Sequence, residues 1–253
     1  MAVARSGKVM FNPHAPAPAS STRSLLFRQA LAAAFKARRQ SLPPPPASLP
    51  LLLEACGTDI PGLLTRAGCR DALNEIRARI FCAPGRDVEA QMWWHEAVAT
   101  AVFAARLAQL RQASVATSFL ASLLHRSGEA LALQILARVE REHRTKLDSS
   151  SRRDWCNGHG QELLERLVRA WSLSPQIGSC VLGWTRFGEF AAISPESASL
   201  YFGRLFAIEL LQPDLCVPGA LDHAAGEIGL HEGLIAQLRL EGGQVRELIR
   251  AMG

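Results

Sequence analysis

The segment Thr117–Gly128 (TSFLASLLHRSG) constrains the fold more than any other, because its apolar side chains recur at the spacing of one helix face. Four residues form that face: Phe119, Leu120, Leu123 and Leu124. Ser127 and Gly128 predict the end of the helix, since glycine tolerates the left-handed conformation of a helix cap. The ionisable pair His125–Arg126 lies just before that end.

His125 has two interpretations on the residues alone. An imidazole held where a buried helix ends is a common position for a site residue. It is also a common position for an ordinary histidine, because the negative end of the helix dipole favours a protonated ring. The residues by themselves leave both interpretations open.

The composition favours a helical fold. Apolar residues make up 48% of the 253 residues, which is ample for a sizeable core, and strand-type alternation is scarce. No apolar run is long enough to predict a transmembrane segment. The six cysteines form no C-x-x-C pair, so they predict core thiols in a reducing compartment rather than a zinc or dithiol site. We expect an all-α, cytoplasmic protein.

The net charge of +5 belongs to one end of the chain. Residues 1–53 hold seven basic residues and no acidic one, whereas the remainder holds 21 basic and 23 acidic residues. The near-neutral remainder also lacks any nucleic-acid-binding signature, so we expect no specific nucleic-acid partner. The basic arm alone would give weak, salt-sensitive binding.

Composition divides the chain into three regions. Residues 1–21 are rich in Pro, Ala and Ser and predict a flexible basic N-terminal arm. Residues 22–50 contain a basic amphipathic helix, Arg23 to about Arg39, and a proline hinge, Gln40–Pro50. Residues 51–253 form the main helical domain. The hinge is either a spacer, which we favour, or the start of the domain.

The basic helix also has alternative interpretations. Its predicted apolar side consists of Leu25, Leu26, Ala30, Leu31 and Phe35. An amphipathic helix near the N-terminus that has basic but no acidic residues is also typical of a transit peptide or of a helix that lies on an anionic surface. We favour a helix that packs on its own domain and exposes a solvated basic face.

Two segments carry a resemblance to a known family. LASLLHRSGEALALQIL is similar to the pattern L-x-G-L-L-H-D-I-G-K-L-x-L, and WWHEAVATAVFAARLA is similar to W-x-H-S-x-x-V-A-x-x-A-x-x-L-A. Trp171, Leu173 and Pro175 are similar to a W-x-L-P pattern, with the proline one residue later. These patterns belong to the HDOD family, which the chain therefore resembles; it is an all-helical, signalling-associated branch of the HD metal-dependent phosphohydrolase superfamily. The resemblance covers about Asp87–Met252 and implies a compact, multi-helix HD-like bundle.

The resemblance also implies where a metal site has been lost. The vestigial positions are His95, His125, Arg126, Gly183 and Trp184. The superfamily's His-Asp pair corresponds to His125–Arg126, so its aspartate is missing, and an upstream histidine ligand corresponds to His95.

Two further ligands of the superfamily have no counterpart. A His-His pair of relatives corresponds to Gly183–Trp184, and the helix Ser199–Leu211 lacks the expected aspartate. His159 lies near another family histidine, but its spacing to Trp171 is one residue longer, which puts its register in doubt.

These departures predict a chain with no catalytic residue, no metal and no cofactor. Two imidazoles without a carboxylate hold a hard divalent ion poorly. Arg126 would add a cation beside that ion, and two unit charges at about 4 Å repel by about 4 kcal/mol at an intermediate dielectric. No glycine-rich phosphate loop, nucleophile elbow or H-E-x-x-H motif offers another chemistry.

Three functions are compatible with this sequence. We favour a non-catalytic bacterial regulatory scaffold that binds protein partners. The alternative is a sensor that holds an anion or nucleotide weakly on His95, His125 and Arg126, because arginine matches phosphate geometry. A divergent metal-dependent phosphohydrolase is the least favoured.

Trp94 and Trp171 are predicted core anchors, since both lie among apolar helical positions that the resemblance makes structural. Replacing either with alanine should lower the free energy of unfolding by about 3–5 kcal/mol, the range for a large aromatic cavity. Urea denaturation measures this loss. A change below about 1 kcal/mol would contradict the prediction.

Overall fold

The computed structural model describes residues 20–56, 66–82, 88–183, 194–227 and 230–251, with side chains from residue 24 onward. Every regular element in these ranges is a helix, which confirms the predicted all-α fold. The α-helices are α1 (Ser20–Gln40), α2 (Leu49–Ala55), α3 (Ala67–Ile76), α4 (Val88–Leu110), α5 (Val115–Leu124), α6 (Ser127–His143), α7 (Ser149–Ala170), α8 (Pro175–Gly183), α9 (Pro195–Leu211), α10 (Ala220–Glu227) and α11 (Glu232–Ala251). A π-helical turn, Arg77–Phe81, continues α3.

Helix α4 lies at the centre of the bundle and is buried on nearly all sides. Its main neighbours are α9 and α5, and many of its inward residues are alanines. Small side chains allow the helices to approach closely. At the crossing with α9, a Cβ atom on Gly203 would lie 2.7 Å from the Thr100 carbonyl oxygen, so glycine is required there.

Helices α6 and α7 form a second close pair, and their contact corrects the predicted role of Gly128. Gly128 is the second residue of α6 rather than a left-handed cap of the preceding helix. The turn between α5 and α6 is made by His125 and Arg126, both with negative φ. A Cβ atom on Gly128 would overlap the carbonyl group of Gly160 on α7.

Helix α1 packs on α6 of its own domain. Phe27 and Leu31 are buried there against Leu136 and Val139. The predicted apolar side was wrong for Leu25 and Leu26, which are 56% and 53% exposed. The prediction placed the apolar side at the wrong angle around the helix axis. Phe27 faces the domain, whereas Leu25 and Leu26 face solvent.

The proline segment between α1 and α2 is fastened to the domain. The indole Nε1 of Trp171 donates to the Pro43 carbonyl oxygen at 2.9 Å. Arg79 donates from Nη1 to the carbonyl oxygens of Pro44 at 2.7 Å and Pro45 at 3.0 Å. These bonds hold the segment against the domain, so it is not the free spacer that the sequence favoured.

Asp148 caps the start of α7, because its side chain accepts a bond from the Ser151 backbone N–H at 2.9 Å. The last helix, α11, runs without a break through Gly242 and Gly243. Both predicted anchors are buried, Trp94 to 1% and Trp171 to 4% exposure.

Other predictions concern the parts of the chain that lie outside the described residues. They include residues 1–19 of the predicted arm at 1–21, and Trp184. Within the described ranges, no helix combines the length and apolar character needed to cross a bilayer.

The Gly128–Gly160 contact makes a specific stability prediction. Gly128→Ala should destabilise the protein by about 1–3 kcal/mol, because the added methyl group has no room between α6 and α7. Gly158→Ala on α7 is the matched control, since no atom lies within 4 Å of its Cβ position. The control should be neutral or stabilising by up to about 1 kcal/mol from helix propensity. Equal urea midpoints for the two variants would contradict the proposed close contact.

Candidate functional site

The structure places a buried carboxylate beside the predicted pair His125–Arg126. Glu96 on α4 is 2% exposed and points toward the turn between α5 and α6. Arg204 reaches the same carboxylate from α9. The site therefore joins three parts of the bundle that are distant in sequence.

Both oxygens of Glu96 are bound by arginine. Arg204 donates from Nε to Oε1 at 3.0 Å, and Arg126 donates from Nη2 to Oε2 at 3.3 Å. Arg126 also donates from Nη1 to Glu129 at 3.4 Å, and its guanidinium lies 5.4 Å from the centre of the Trp93 ring. Two carboxylates and two guanidinium groups balance the charge of this buried network.

His125 completes the network as a neutral ring. Its Nδ1 lies 2.6 Å from the Ser122 carbonyl oxygen, so Nδ1 carries the proton and donates it. Burial lowers the pKa of His125, and the charges of Arg204 and Arg126 lower it further against the opposing effect of Glu96. Its Nε2 lies 3.7 Å from Glu96 Oε1, which is too far for a hydrogen bond.

The same surroundings keep Glu96 ionised. Burial alone would raise the pKa of this carboxyl. The two guanidinium groups of Arg126 and Arg204 outweigh burial and hold the pKa of Glu96 well below its usual range.

His95, the other predicted site residue, does not join this network. It is partly buried, and burial together with the charge of Arg77 lowers its pKa. Within the described part of the chain, no hydrogen bond or ion pair connects His95 to His125 or Arg126. Of the predicted set, only His125 and Arg126 both lie beside the Glu96 carboxylate.

The remaining predicted positions lie elsewhere or outside the described residues. Gly183 is the last residue of α8, and Trp184 follows the described range. His159 lies on α7, where its Nδ1 is 2.9 Å from the Trp155 carbonyl oxygen and its ring stacks on the Trp155 indole.

Sequence reasoning did not identify Glu96 as the centre of the site, nor Arg204 as a member. Arg126 binds both Glu96 and Glu129, and the second of these lies only three residues away in the sequence. The available signal for Arg204 was a basic residue on the helix where relatives carry an aspartate.

The side chains at this position do not fit a divalent metal. Across the residues with described side chains, no three His, Cys, Asp or Glu groups converge in a way that could hold one. Glu96 is the most central carboxylate, and Arg126 and Arg204 bind both of its oxygens. A metal would have to displace two guanidinium groups and then share the site with their charge.

Part of the sequence matches a family model, and the fold is similar to that of a solved structure. Residues 75–183 match the HDOD domain model, a range that includes Glu96, His125 and Arg126 but not Arg204. The fold is similar to that of a protein from Marinobacter aquaeolei VT8, provisionally described as a signal transduction protein, with a TM-score of 0.50 and 16% identity. The similarity covers 90% of this chain and 65% of that one, so this chain spans about two thirds of the other protein. No curated protein matches the chain significantly.

The buried network predicts an acid-sensitive contribution of Glu96 to stability. Glu96→Gln should lower the free energy of unfolding by about 3–5 kcal/mol near neutral pH, because it leaves two arginines without their shared carboxylate. The folded pKa of Glu96 lies below its ordinary value of 4.5, so its stabilisation is present above that pH and is lost as the pH falls below it.

Urea melts of wild type and Glu96→Gln from neutral to acidic pH measure this effect. The difference between the two proteins should narrow as the pH falls below the unfolded value. Glu129→Gln is the control, since Glu129 is more exposed than Glu96 and contacts only Arg126 within the network. A difference that stays constant over this range would contradict the assignment.

Proposed function

We propose that the protein, whose residues 75–183 match the HDOD domain model, is a non-catalytic signalling scaffold that acts through protein contacts. The observation that carries the proposal is the pair of arginines on Glu96. One of them, Arg126, occupies the position where the resemblance implies the aspartate of the superfamily's His-Asp pair. The signalling description of the solved structure with the same fold agrees with a regulatory role.

The arginine pairs offer a physical reason why the domain needs no metal for its fold. Glu96 on α4 holds Arg126 at the α5–α6 turn and Arg204 on α9. These contacts cross-link the helices on which the superfamily places its ligands. The network therefore supports the bundle in place of a metal and leaves its outer surfaces available for partners.

The same pairs count against an anion sensor at the vestigial site. Arg126 already uses Nη1 on Glu129 and Nη2 on Glu96, and the nearby Glu96 carboxylate would repel a second anion. We therefore propose no ligand for this position.

The proposal also covers the division of the chain into regions and the cellular compartment. We propose that 51–253 is the HDOD-like regulatory region, that 22–50 is an added N-terminal element, and that 1–21 is a basic arm. We further propose a bacterial, cytoplasmic setting, in which the free thiols would remain reduced.

Metal-binding and activity measurements test the absence of catalysis. Titration calorimetry of the purified full chain with Mn²⁺ should show no specific binding, and bis(p-nitrophenyl) phosphate should not be hydrolysed in its presence. Capture of stoichiometric partners from the native host should persist in EDTA. Metal-dependent turnover that disappears in His125→Ala would overturn the proposal.

Arg126→Asp should not convert the site into a metal centre. Arg204 remains on Glu96, α8 ends in Gly183 rather than an imidazole, and a hard ion needs about six well-placed ligands. The new carboxylate would repel Glu96 and Glu129, so the variant should melt below wild type and below Arg126→Gln.

Thermal melts with and without Mn²⁺ check this prediction. The melting temperature of Arg126→Asp should not recover when Mn²⁺ is added. Recovery to the wild-type value would indicate a more complete ligand shell than the described residues provide.

A further inference from the structure

A long groove separates α1 from α7 on the side of the protein formed by the added N-terminal helix. Its volume is about 1320 Å³, and its wall on α1 extends from Ser24 to Gln40. At about 1.5 Å per helical residue, this wall is roughly 24 Å long. Typical small-molecule pockets have about 300–1,000 Å³, so the groove has the dimensions for a longer occupant.

The floor of the groove is apolar and aromatic. It is formed chiefly by Phe27, Leu31, Phe35, Leu147 and Trp155. The Trp155 indole stacks on the His159 ring with centroids 3.7 Å apart, and Phe35 contacts that ring edge-on at 4.6 Å. Phe27 and Leu31 are already buried against α6, whereas Phe35, Leu147 and Trp155 are half-buried. An apolar partner would remove the remaining surface of these three side chains from water, which is favourable.

The rim of the groove is strongly basic. Five lining residues are cationic and one, Asp154, is acidic; the cations are Arg28, Lys36, Arg39, Arg144 and Arg166. Glu162 neutralises part of this charge, since Arg39 binds it at 2.6 Å and Arg166 at 3.2 Å.

Two of these cations face solvent. Arg28 and Lys36 are exposed on α1, eight residues apart, and neither forms an ion pair with another described residue. About two helical turns separate these residues along α1. Each half of the groove therefore has an exposed positive charge on its rim.

Charge and shape exclude two other possible occupants of the groove, the N-terminal residues of this chain and a membrane surface. Residues 1–19 of the chain contain Arg5 and Lys8 and no acid, so they carry the same sign as the rim. A flat anionic bilayer could contact the exposed cations but could not reach a concave floor. The occupant must be elongated, apolar on one face and acidic along its flanks.

We propose that this groove binds an acidic amphipathic helix of a partner protein. This inference rests on the proposed scaffold function and names the class of partner. A helix of about 16 residues would match the length of α1 beside the groove. Its apolar residues at i, i+3, i+4 and i+7 would cover the aromatic floor, and its flanking carboxylates would face Arg28 and Lys36.

A designed peptide provides the probe. It has about 18 residues, leucines at helical spacing, glutamates on both flanks and a fluorescent label, and its binding to the full chain is followed by anisotropy. We expect saturable binding that weakens as salt rises, because exposed charges contribute to it. Two control peptides, one with Glu→Lys and one with Leu→Ser, should bind at least about tenfold more weakly, a loss of about 1.4 kcal/mol or more.

Matched variants locate the binding site. Ala32→Trp fills the groove, whereas Ala33→Trp places the same side chain on the other side of α1, and both alanines are exposed.

A second pair of variants tests the charge. Arg28→Glu with Lys36→Glu reverses the charge of the rim. Arg70→Glu with Arg250→Glu changes the net charge equally at two exposed positions outside the groove. We expect the first variant of each pair to weaken peptide binding at least about tenfold and the second to leave it unchanged.

Several outcomes would overturn the proposal. They are no peptide binding, equal losses in the paired variants, or tighter binding of ATP, a single-stranded oligonucleotide or anionic vesicles at the same groove. All variants alter exposed side chains, and circular dichroism verifies their folding. Metal-dependent hydrolysis by the wild type would refute the scaffold function without changing the peptide result, so the two failures are distinguishable.

Discussion

The buried carboxylate of Glu96 is the constraint on which the arrangement of the bundle's centre depends. A 2% exposed anion is unstable unless cations and donors surround it, and here Arg126 and Arg204 approach it from two other elements. Because each arginine comes from a different part of the chain, α4, the α5–α6 turn and α9 must hold one relative position. The neutral His125 ring, bound to the Ser122 carbonyl oxygen, fills the remaining space.

Close helix contacts bring these charges together. Gly203 precedes Arg204, and the absence of its side chain allows α9 to touch the Thr100 carbonyl of α4. Gly128 precedes Glu129 and allows α6 to approach Gly160 on α7. Packing and electrostatics are therefore coupled in this fold, since each glycine contact lies one residue from a member of the network.

The N-terminal helix adds a surface with a different character. The network at Glu96 is buried and balanced in charge, whereas α1 carries only basic charged residues and borders an open aromatic groove. The interior charges are paired with one another, so the unpaired positive charge of this part of the protein lies on its surface, along α1. The proposed recognition of a partner uses this outer surface and not the buried network.

The sequence by itself determined the helical class, the approximate helices, the two tryptophan anchors and the adjacency of His125 and Arg126, because these follow from local periodicity and chain connectivity. Tertiary structure decided which polar neighbour on α4 enters the site. His95 and Glu96 differ by only about 100° around the helix, and their polarity does not indicate which one faces inward. The pairing of Glu96 with Arg204 spans 108 residues, and the phase of α1 depends on a surface that α6 provides. Such choices follow from the packing of distant helices, which no local pattern records.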